Sequence, residues 1–225
     1  MEGGAKVRIG IIGAGNIGGN LTRRSTALGH EVRVANSRGP ETLKDLSEET
    51  GAVAVTATEA ADGADVVVVT VPQKAIPALG KGILDSRRPG APVVDTGNYY
   101  PKQRDGRIPE IEDGMTESRW VSEQLGVAVV KAFNGIYAEH LISGARPAGE
   151  PGRVALPVAG DDPQAKAKVM DLVDQLGFDP VDAGGIDDSW RQQPGTPVYG
   201  ADLDADGVRA ALAAASPGRS PDWRF

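Results

Sequence analysis

The stretch that decides the predicted fold is Val7-Arg8-Ile9-Gly10-Ile11-Ile12-Gly13-Ala14-Gly15-Asn16-Ile17-Gly18. Its mostly apolar first half predicts a buried strand, and a helix is predicted to follow the glycines through Leu28. Gly13 permits a tight turn, Gly15 lets the backbone approach a pyrophosphate, and Gly18 lets the helix pack closely against the strand. The pyrophosphate of a dinucleotide would then lie at the helix N-terminus, where free N–H groups and the helix dipole favour an anion.

The segment after the second predicted strand indicates which dinucleotide is bound. This strand covers residues 31–35 and is followed by Asn36, Ser37 and Arg38. Proteins that bind NAD usually have Asp or Glu here to hold the ribose 2′-hydroxyl, and a carboxylate would repel a 2′-phosphate. A hydroxyl and a guanidinium would instead hold that phosphate with charge-assisted hydrogen bonds. The sequence therefore predicts NADP rather than NAD. The alternative interpretation is that Arg38 is a solvated surface residue that opens the next helix.

Strands and helices are predicted to alternate through the first two thirds of the chain. The run Asp65–Val71 is continuously apolar after its first residue, as expected of a central parallel strand that is covered on both faces. Further strands are predicted over 53–55, 92–96 and 127–132, and helices over 41–49, 57–61, 75–84 and 117–125. This alternation predicts an α/β fold with a doubly wound parallel sheet, the Rossmann architecture.

The remaining third begins with a loop over residues 143–153 that is rich in Gly, Pro and Ala. A strand over 154–159, a helix over 163–176 and a strand over 178–182 then extend the sheet or form a small lobe. We expect an NADP-binding domain over 1–145 and a small C-terminal lobe over 146–225 that completes the substrate cleft. A last helix is predicted over 205–215, followed by a loosely held terminus over 216–225.

Composition excludes several classes of site and partner. The 225 residues contain no cysteine and two histidines, so we expect no disulfide, thiol nucleophile, iron–sulfur cluster or His-rich metal site. The net charge of −7 argues against a nucleic-acid partner. No apolar run is long enough to cross a bilayer, and residues 1–6 carry no signal-peptide pattern. The expected protein is therefore cytoplasmic, without a membrane partner, and acts on a small-molecule redox substrate.

The predicted cofactor site lies at the carboxyl ends of the parallel strands, where open α/β sheets bind their ligands. Small or polar residues end several of these strands, which lets a flat ring approach the backbone. Asn134 is notable because its amide could bind a carboxamide or a substrate carbonyl. The predicted cofactor-binding residues are Gly13, Ala14, Gly15, Asn16, Ile17, Asn36, Ser37, Arg38, Thr70, Val71, Pro72, Ala132 and Asn134.

The sequence does not single out a catalytic acid or base. A dehydrogenase that oxidises an alcohol or reduces a keto acid requires a group that moves the hydroxyl proton, commonly His, Lys or Tyr. Tyr137, His140 and Lys131 could serve, and Asn134 is a further catalytic candidate, but none stands in a diagnostic pattern. If the second substrate is itself a redox ring, hydride can pass between two stacked rings without a strong protein base.

The chain resembles the short Rossmann proteins typified by the NADPH-dependent reductase of the deazaflavin coenzyme F-420. The segments that carry the resemblance are 9–19, Asn36-Ser37-Arg38, Thr70-Val71-Pro72, Val130-Lys131-Ala132-Phe133-Asn134, 157–162 and 176–184. The resemblance implies hydride transfer between NADPH and F-420 in a homodimer. It also implies that Ser37 and Arg38 bind the 2′-phosphate and that the loop after Val71 touches the nicotinamide.

Two features distinguish this chain from the archaeal members of the family that it resembles. Asn134 stands near the position where archaeal members of the family have a histidine beside the deazaflavin, and segments 95–100 and 193–199 look like a bacterial branch. The Lys-Ala-Phe-Asn stretch is also similar to the cytoplasmic reductase domain of membrane ferric reductases, which use a flavin. The acceptor could thus be F-420 or another flavin-like ring. The alternatives are NADPH-dependent reduction of a small carbonyl or imine, and a non-catalytic NADP-binding redox sensor.

Overall fold

The computed structural model describes residues 6–225, so most of the segment inspected for a signal peptide lies outside the described residues. Six parallel strands form one sheet in the order β3-β2-β1-β4-β5-β6. Their bounds are β1 Arg8–Ile12, β2 Glu31–Ala35, β3 Val53–Ala54, β4 Val66–Val69, β5 Val93–Asp95 and β6 Val130–Lys131. The strand order reverses between β1 and β4, which gives the doubly wound topology and confirms the predicted Rossmann fold.

Helices cover the sheet and create an apolar core on each face. Their bounds are α1 Asn16–Ala27, α2 Lys44–Thr50, α3 Ala57–Ala61, α4 Ile76–Leu79, α5 Pro109–Glu112, α6 Glu117–Leu125, α7 His140–Ser143, α8 Pro163–Gln175 and α9 Ala205–Ala214. All four valines of β4 are buried, as expected of a central parallel strand. Among the helices of residues 6–225, none has the length and apolar character needed to cross a membrane.

The predicted strand–helix–strand unit follows the six-stranded sheet. β7 Ala155–Val158 and β8 Asp179–Asp182 pair in parallel as a separate two-stranded sheet, with α8 between them in the chain. An antiparallel bridge between Lys131 and Ala159 joins this unit to the end of β6, with N–H to O distances of 2.8 and 3.0 Å. Buried residues of β7 and α8 also belong to the core on one face of the main sheet. The division at residue 145 stays a prediction.

Three local expectations were wrong in extent. The helix predicted over 75–84 ends at Leu79, because Gly80 adopts a positive φ of 75° and leaves the helical conformation. The strand predicted over 127–132 contributes only Val130–Lys131, since β5 offers it only Val94 and Asp95 as partners. The helix predicted over 41–49 begins as a 3₁₀ turn, Pro40–Leu43, and becomes α-helical at Lys44.

The C-terminal segment 216–225, expected to be a loosely held terminus, contacts the domain through Arg219 and Trp223, while its other residues are exposed. The Arg219 guanidinium forms an ion pair with the fully buried carboxylate of Glu117 and lies over the ring of Tyr99. Trp223 packs against the rings of Tyr100 and Tyr199. These contacts fix the tail across the segment that follows β5. A missed 3₁₀ helix, Ile186–Gln192, leads the chain towards this region.

Candidate functional site

The turn between β1 and α1 requires glycine for reasons that the structure makes explicit. Gly13 has a φ of 111°, and a Cβ added there would lie 2.2 Å from the carbonyl oxygen of Thr70. A Cβ on Gly18 would lie 1.8 Å from the carbonyl oxygen of Gly13. At Gly15, by contrast, no described atom lies within 4 Å of the added Cβ. Gly13 and Gly18 therefore permit close packing within the protein, whereas Gly15 leaves open space above the turn.

The N-terminus of α1 is suited to an anion. Gly15 occupies the N-cap position, no side chain caps the helix, and its first turn contains no acidic residue. The first N–H groups of a helix have no partner within the helix, and the helix dipole places partial positive charge there. The open space at Gly15 would fit a pyrophosphate against these donors, and the roles predicted for Ala14, Asn16 and Ile17 stay predictions.

A cleft of about 650 Å³ brings the glycine turn and the segment after β2 together. Gly15 and Asn16 line it on one side, and Arg38 lines it on another. Asn36 shapes the second segment, because its Oδ1 accepts the Arg38 N–H at 2.9 Å and its Nδ2 donates to Thr42 Oγ1 at 2.9 Å. This turn leaves Ser37 and Arg38 exposed. Within the part of the chain that the structure describes, Arg38 makes no salt bridge.

Carboxylates also line the cleft, and one of them is neutralised within the protein. Asp45 and Glu49 of α2 line the cleft, and Arg23 of α1 lines it beside them. The Arg23 guanidinium donates two hydrogen bonds of 2.7 Å to the Glu49 carboxylate, which holds the pKa of Glu49 below its usual value. Thr42 also lines the cleft and was missed by sequence reasoning, although its hydroxyl lies in the first turn of the helical segment after Arg38.

The residues predicted at the end of β4 lie directly behind the glycine turn. A Cβ at Gly13 would meet Thr70 and also the Val71 side chain, whose Cγ1 would be 3.0 Å away. The Thr70 N–H donates to the Ile12 carbonyl at 2.8 Å, which ties the end of β4 to the end of β1. Pro72 follows them and precedes a 3₁₀ turn over Gln73–Ala75. The structure therefore brings these three residues and the turn to one edge of the sheet.

Asn134 lies at the same edge, but its side chain is engaged within the protein. Its Nδ2 donates to the Gln192 carbonyl at 2.6 Å and to Asn98 Oδ1 at 3.0 Å, and its Oδ1 accepts from Gln192 Nε2 at 3.1 Å. Phe133 before it has a positive φ of 62°, a conformation that costs free energy in a residue with a side chain. Ala132 is fully buried beneath them. The amide of Asn134 thus joins three segments, and its role towards a ligand stays a prediction.

Lys131 is buried completely and faces the interior beneath the segment after β5. Its ammonium donates to the Gly97 carbonyl at 2.5 Å and lies 3.3 Å from an Asp95 carboxylate oxygen. Burial lowers the pKa of Lys131, because the charged form loses its hydration, and the nearby Asp95 opposes that shift. The carboxylate of Asp95 is a structural acceptor as well, since it also binds the Ser118 hydroxyl at 2.7 Å.

The other two candidate proton donors lie near the dinucleotide cleft. Tyr137 is exposed and lines the cleft opposite Gly15, and the Asn20 amide donates to the Ala138 carbonyl at 2.6 Å and so holds this loop on α1. The His140 ring packs edge-on against the Tyr137 ring, with 5.4 Å between centroids. His140 Nδ1 lies 2.7 Å from the Asp202 carboxylate, but the angles are not those of a hydrogen bond.

Sequence reasoning missed a pair of phenols at this edge. The hydroxyls of Tyr100 and Tyr199 share a hydrogen bond although 99 positions separate them in the chain. The Arg104 guanidinium lies over the Tyr100 ring at 4.8 Å. The only sequence signal was a double tyrosine after a buried strand in a chain with four tyrosines. Residues 6–225 contain no group of three or more His, Cys, Asp or Glu side chains placed to hold a metal ion.

Comparisons with known proteins agree with this geometry. Residues 8–99, which contain the glycine turn and the first five strands, match the family model described as NADP oxidoreductase, coenzyme F420-dependent. The hypothetical protein SMa0349 from Sinorhizobium meliloti is 33% identical, with a TM-score of 0.73 and coverage of 88% of this chain and 95% of that one. An Arthrobacter sp. FB24 protein, provisionally assigned as an F420-dependent NADP reductase, is 25% identical, with a TM-score of 0.66 and coverage of 80% and 86%.

Two curated relatives are considerably longer than the regions they share with this chain. Rat Metalloreductase STEAP3 is 27% identical over 180 residues, which is 80% of this chain and 34% of that protein. The Escherichia coli K12 protein YjhV is 49% identical over 72 residues, which is 32% of this chain and 53% of that protein. The chain therefore spans about a third to a half of these relatives.

Proposed function

We propose that the chain transfers a hydride between NADP(H) and a deazaflavin or flavin-like ring, as a member of the family of coenzyme F420-dependent NADP oxidoreductases whose model its residues 8–99 match. The enzyme is an NADP-dependent oxidoreductase of the Rossmann class. The choice of ring as the second substrate, coenzyme F-420 or another flavin, is the part that is proposed. The proposed cofactor site comprises the thirteen residues named from the sequence, with Thr42 added.

One observation carries the cofactor part of the proposal: Arg38 and Gly15 line the same cleft. A pyrophosphate at the N-terminus of α1 would place the adenosine ribose towards the end of β2, as in other doubly wound folds. Ser37 and Arg38 are exposed there, and the Asn36 turn fixes the backbone that carries them. The Ser37 hydroxyl and the Arg38 guanidinium form a donor set for the 2′-phosphate of NADP, while the Thr42 hydroxyl donates to the Gly39 carbonyl and fixes the turn beneath them.

The ring acceptor is supported by the environments of two of the four sequence-predicted candidates, Lys131 and Asn134. Lys131 is buried against Asp95, and the Asn134 amide is engaged with Asn98 and Gln192. Neither side chain is free to shuttle a proton to and from a small hydroxy acid. Hydride transfer between two stacked rings depends mainly on their alignment, which a rigid sheet edge provides.

A second candidate function is the reduction of a small imine or carbonyl. The exposed phenol of Tyr137 at the cleft favours it, because such a substrate needs a proton donor within hydrogen-bond reach. We also propose a homodimer, which the resemblance to the F-420-dependent family implies, and a cytoplasmic address. Sedimentation velocity at several concentrations tests the homodimer, and a monomer throughout would contradict it.

The cofactor assignment is tested with Arg38→Ala. We expect this variant to lose about 1.5–3 kcal/mol of NADPH binding free energy, the usual contribution of a hydrogen bond to a charged group, while NADH binding hardly changes. Isothermal titration calorimetry measures both affinities. Arg209→Ala is the matched control, since Arg209 is an exposed arginine on α9 that pairs with Asp206. Equal affinity of the wild type for NADH and NADPH would contradict the assignment.

The acceptor is tested by following NADPH oxidation with oxidised coenzyme F-420, FMN, a cyclic imine and a small keto acid. Turnover of F-420 or FMN at a rate well above that of the other two supports the proposal. Turnover confined to the imine or the keto acid would favour the second candidate function. NADPH binding without oxidation in any of the four assays would contradict both.

A further inference from the structure

Three of the four tyrosines meet at the carboxyl edge of the sheet, from three separate segments. The Tyr100 and Tyr199 hydroxyls share a hydrogen bond. Tyr137 lies beside them, because a Cβ added at Gly200 would be 3.1 Å from its hydroxyl oxygen. The Gly200 N–H also donates to the Gly135 carbonyl at 2.9 Å, which ties the Tyr199 segment to the loop after β6. The phenols are thus held in one cluster by the fold.

This cluster reaches the dinucleotide cleft through Tyr137. Tyr137 lines the cleft together with Gly15, so the cluster begins where the pyrophosphate would lie. Tyr100 follows β5, and the cluster covers the ends of β5 and β6 on the side of the sheet away from Arg38. A dinucleotide whose 2′-phosphate is at Arg38 and whose pyrophosphate is at Gly15 would direct its nicotinamide towards these strand ends.

Two cations border the Tyr100–Tyr199 pair. The Arg104 guanidinium lies over the Tyr100 ring and is held by the Asp105 carboxylate at 2.9 Å and the Asn98 carbonyl at 2.5 Å. The buried Lys131 ammonium is close enough that Tyr100 and Asp95 both oppose the lowering of the Lys131 pKa by burial. Both cations would attract a negative charge on the phenol pair, although each is also paired with a carboxylate, Arg104 with Asp105 and Lys131 with Asp95.

We propose that the Tyr100–Tyr199 pair is the proton source for the second substrate. The inference rests on the proposed function, which requires a hydride from NADPH to reach the acceptor and a proton to reach one of its heteroatoms. The pair breaks one O–H bond and gives that proton to the heteroatom, so the acceptor gains two electrons and two hydrogens. The remaining phenolate keeps the second hydroxyl as a hydrogen-bond donor and is reprotonated from solvent through exposed Tyr137.

The electrostatics of Tyr199 agree with the role of the partner that keeps its proton. Its burial and its hydrogen bond to Tyr100 raise the pKa of Tyr199, while Arg104 opposes the shift. Tyr199 therefore stays protonated at neutral pH and donates to the oxygen that carries the charge. Tyr100 is the catalytic residue in this assignment, and Tyr199 is the positioning residue. The charged and titratable groups around the pair are Arg104, Asp105, Lys131 and Tyr137.

The kinetic test uses Tyr100→Phe, Tyr199→Phe and the double variant, with NADPH and either F-420 or FMN as acceptor. We expect each single variant to lose roughly 100-fold in kcat, a typical contribution of general acid catalysis, with the KM for NADPH unchanged. The double variant should lose little more than either single variant, because the two phenols act as a unit. The solvent deuterium isotope effect on kcat should change in the single variants. Tyr99→Phe is the matched control, since the Tyr99 hydroxyl accepts the Ile108 N–H in the interior.

A kcat for Tyr100→Phe equal to that of the wild type, or strictly multiplicative losses in the double variant, would overturn the inference. If the wild type reduces neither acceptor, the proposed function fails and the inference fails with it. An alkaline titration of ring-labelled tyrosines by NMR tests separately the coupling of the two phenols on which the inference depends. Tyr100→Phe should lower the pKa of Tyr199, because it removes the hydrogen bond and the charge that raise it. An unchanged pKa of Tyr199 would show that the phenols are not coupled and would overturn the inference.

Discussion

At the residue scale, Lys131 illustrates how a charge is accommodated at the end of a buried strand. Its side chain and that of Asp95 are almost completely excluded from solvent, and they lie 3.3 Å apart on adjacent strands. The ammonium also binds the Gly97 carbonyl, and the carboxylate binds the Ser118 hydroxyl and the Gly97 N–H. Each charge therefore has several partners, which is the condition under which a buried ion pair persists.

Lys131→Met should lower the free energy of unfolding by about 3–5 kcal/mol at neutral pH, because it leaves the Asp95 carboxylate buried without its cation. The pKa of Lys131 is lower in the folded protein than in the unfolded chain, so the folded state binds fewer protons in the interval between the two values. Stability contributed by Lys131 consequently increases as pH rises towards the unfolded lysine pKa of about 10.4. The advantage of the wild type over the variant should therefore grow with pH.

Urea unfolding of both proteins at several pH values between neutral and alkaline measures this difference. Subtracting the two curves removes the contributions of groups that both proteins share, including Tyr199, whose raised pKa acts in the opposite direction. Lys168→Met is the matched control, since Lys168 is an exposed lysine on α8 whose ammonium donates to the Gly90 carbonyl. A difference that is flat or that shrinks as pH rises would contradict the prediction.

At the scale of the element, the unit formed by β1, its turn and α1 separates glycines needed for folding from a glycine needed for binding. Gly18→Ala would force a Cβ to 1.8 Å from the Gly13 carbonyl oxygen. We expect it to cost about 1–3 kcal/mol of stability, as overpacking in a close contact does. Gly15→Ala places its methyl in open space and should leave the melting temperature nearly unchanged.

The two variants should behave in opposite ways towards the dinucleotide. Gly15→Ala should fold normally and bind NADPH weakly, because the added methyl would occupy the space that the pyrophosphate needs. Differential scanning calorimetry gives the stability of each variant, and calorimetric titration with NADPH gives the affinity. Undiminished NADPH affinity in Gly15→Ala would place the pyrophosphate elsewhere on the protein.

Elements with complete local signals were predictable from the sequence to within a residue. α3 begins after the Thr56 cap of a Thr56–Glu59 capping box, and α8 begins after the Asp162 cap with a proline at its first position. The first residue of each helix follows from these N-terminal signals. β6 was not predictable in extent, because its length depends on how many residues β5 presents to it. Local apolar character cannot report the length of a partner strand.

The candidate site shows the same division between local and distant determinants. Gly15 and Arg38 were predictable, since each lies at a fixed distance from a strand in a known unit. The Tyr100–Tyr199 pair was not, because the two residues are brought together by the packing of the C-terminal third on the end of the sheet. The engagement of Asn134 by Gln192 has the same origin, and no pattern within either segment signals it.

At the scale of the whole molecule, the C-terminal tail is joined to the core by a buried charge. Glu117 at the start of α6 is fully buried, and its carboxylate is paired with Arg219 of the tail and accepts the Tyr99 N–H at 3.1 Å. Tyr99 is itself fully buried in the segment between β5 and α6. The tail therefore supplies one of the two cations that pair with this buried carboxylate, and the Lys131 ammonium, 4.0 Å from Glu117 Oε2, is the other.

Arg219→Met should lower the free energy of unfolding by about 1–3 kcal/mol, because the Glu117 carboxylate loses the cation in direct contact with it and keeps only the Lys131 ammonium, 4.0 Å away. Adding Glu117→Gln to that variant should restore much of the loss, since a neutral amide can keep the Tyr99 N–H as a donor. Urea unfolding of the wild type, both single variants and the double variant gives the coupling energy between the two side chains. Arg224→Met is the matched control, because Arg224 is a tail arginine 3.9 Å from Glu112 and more than half exposed. Additive losses in the cycle, with no recovery in the double variant, would mean that the tail packs on the domain without depending on this charge.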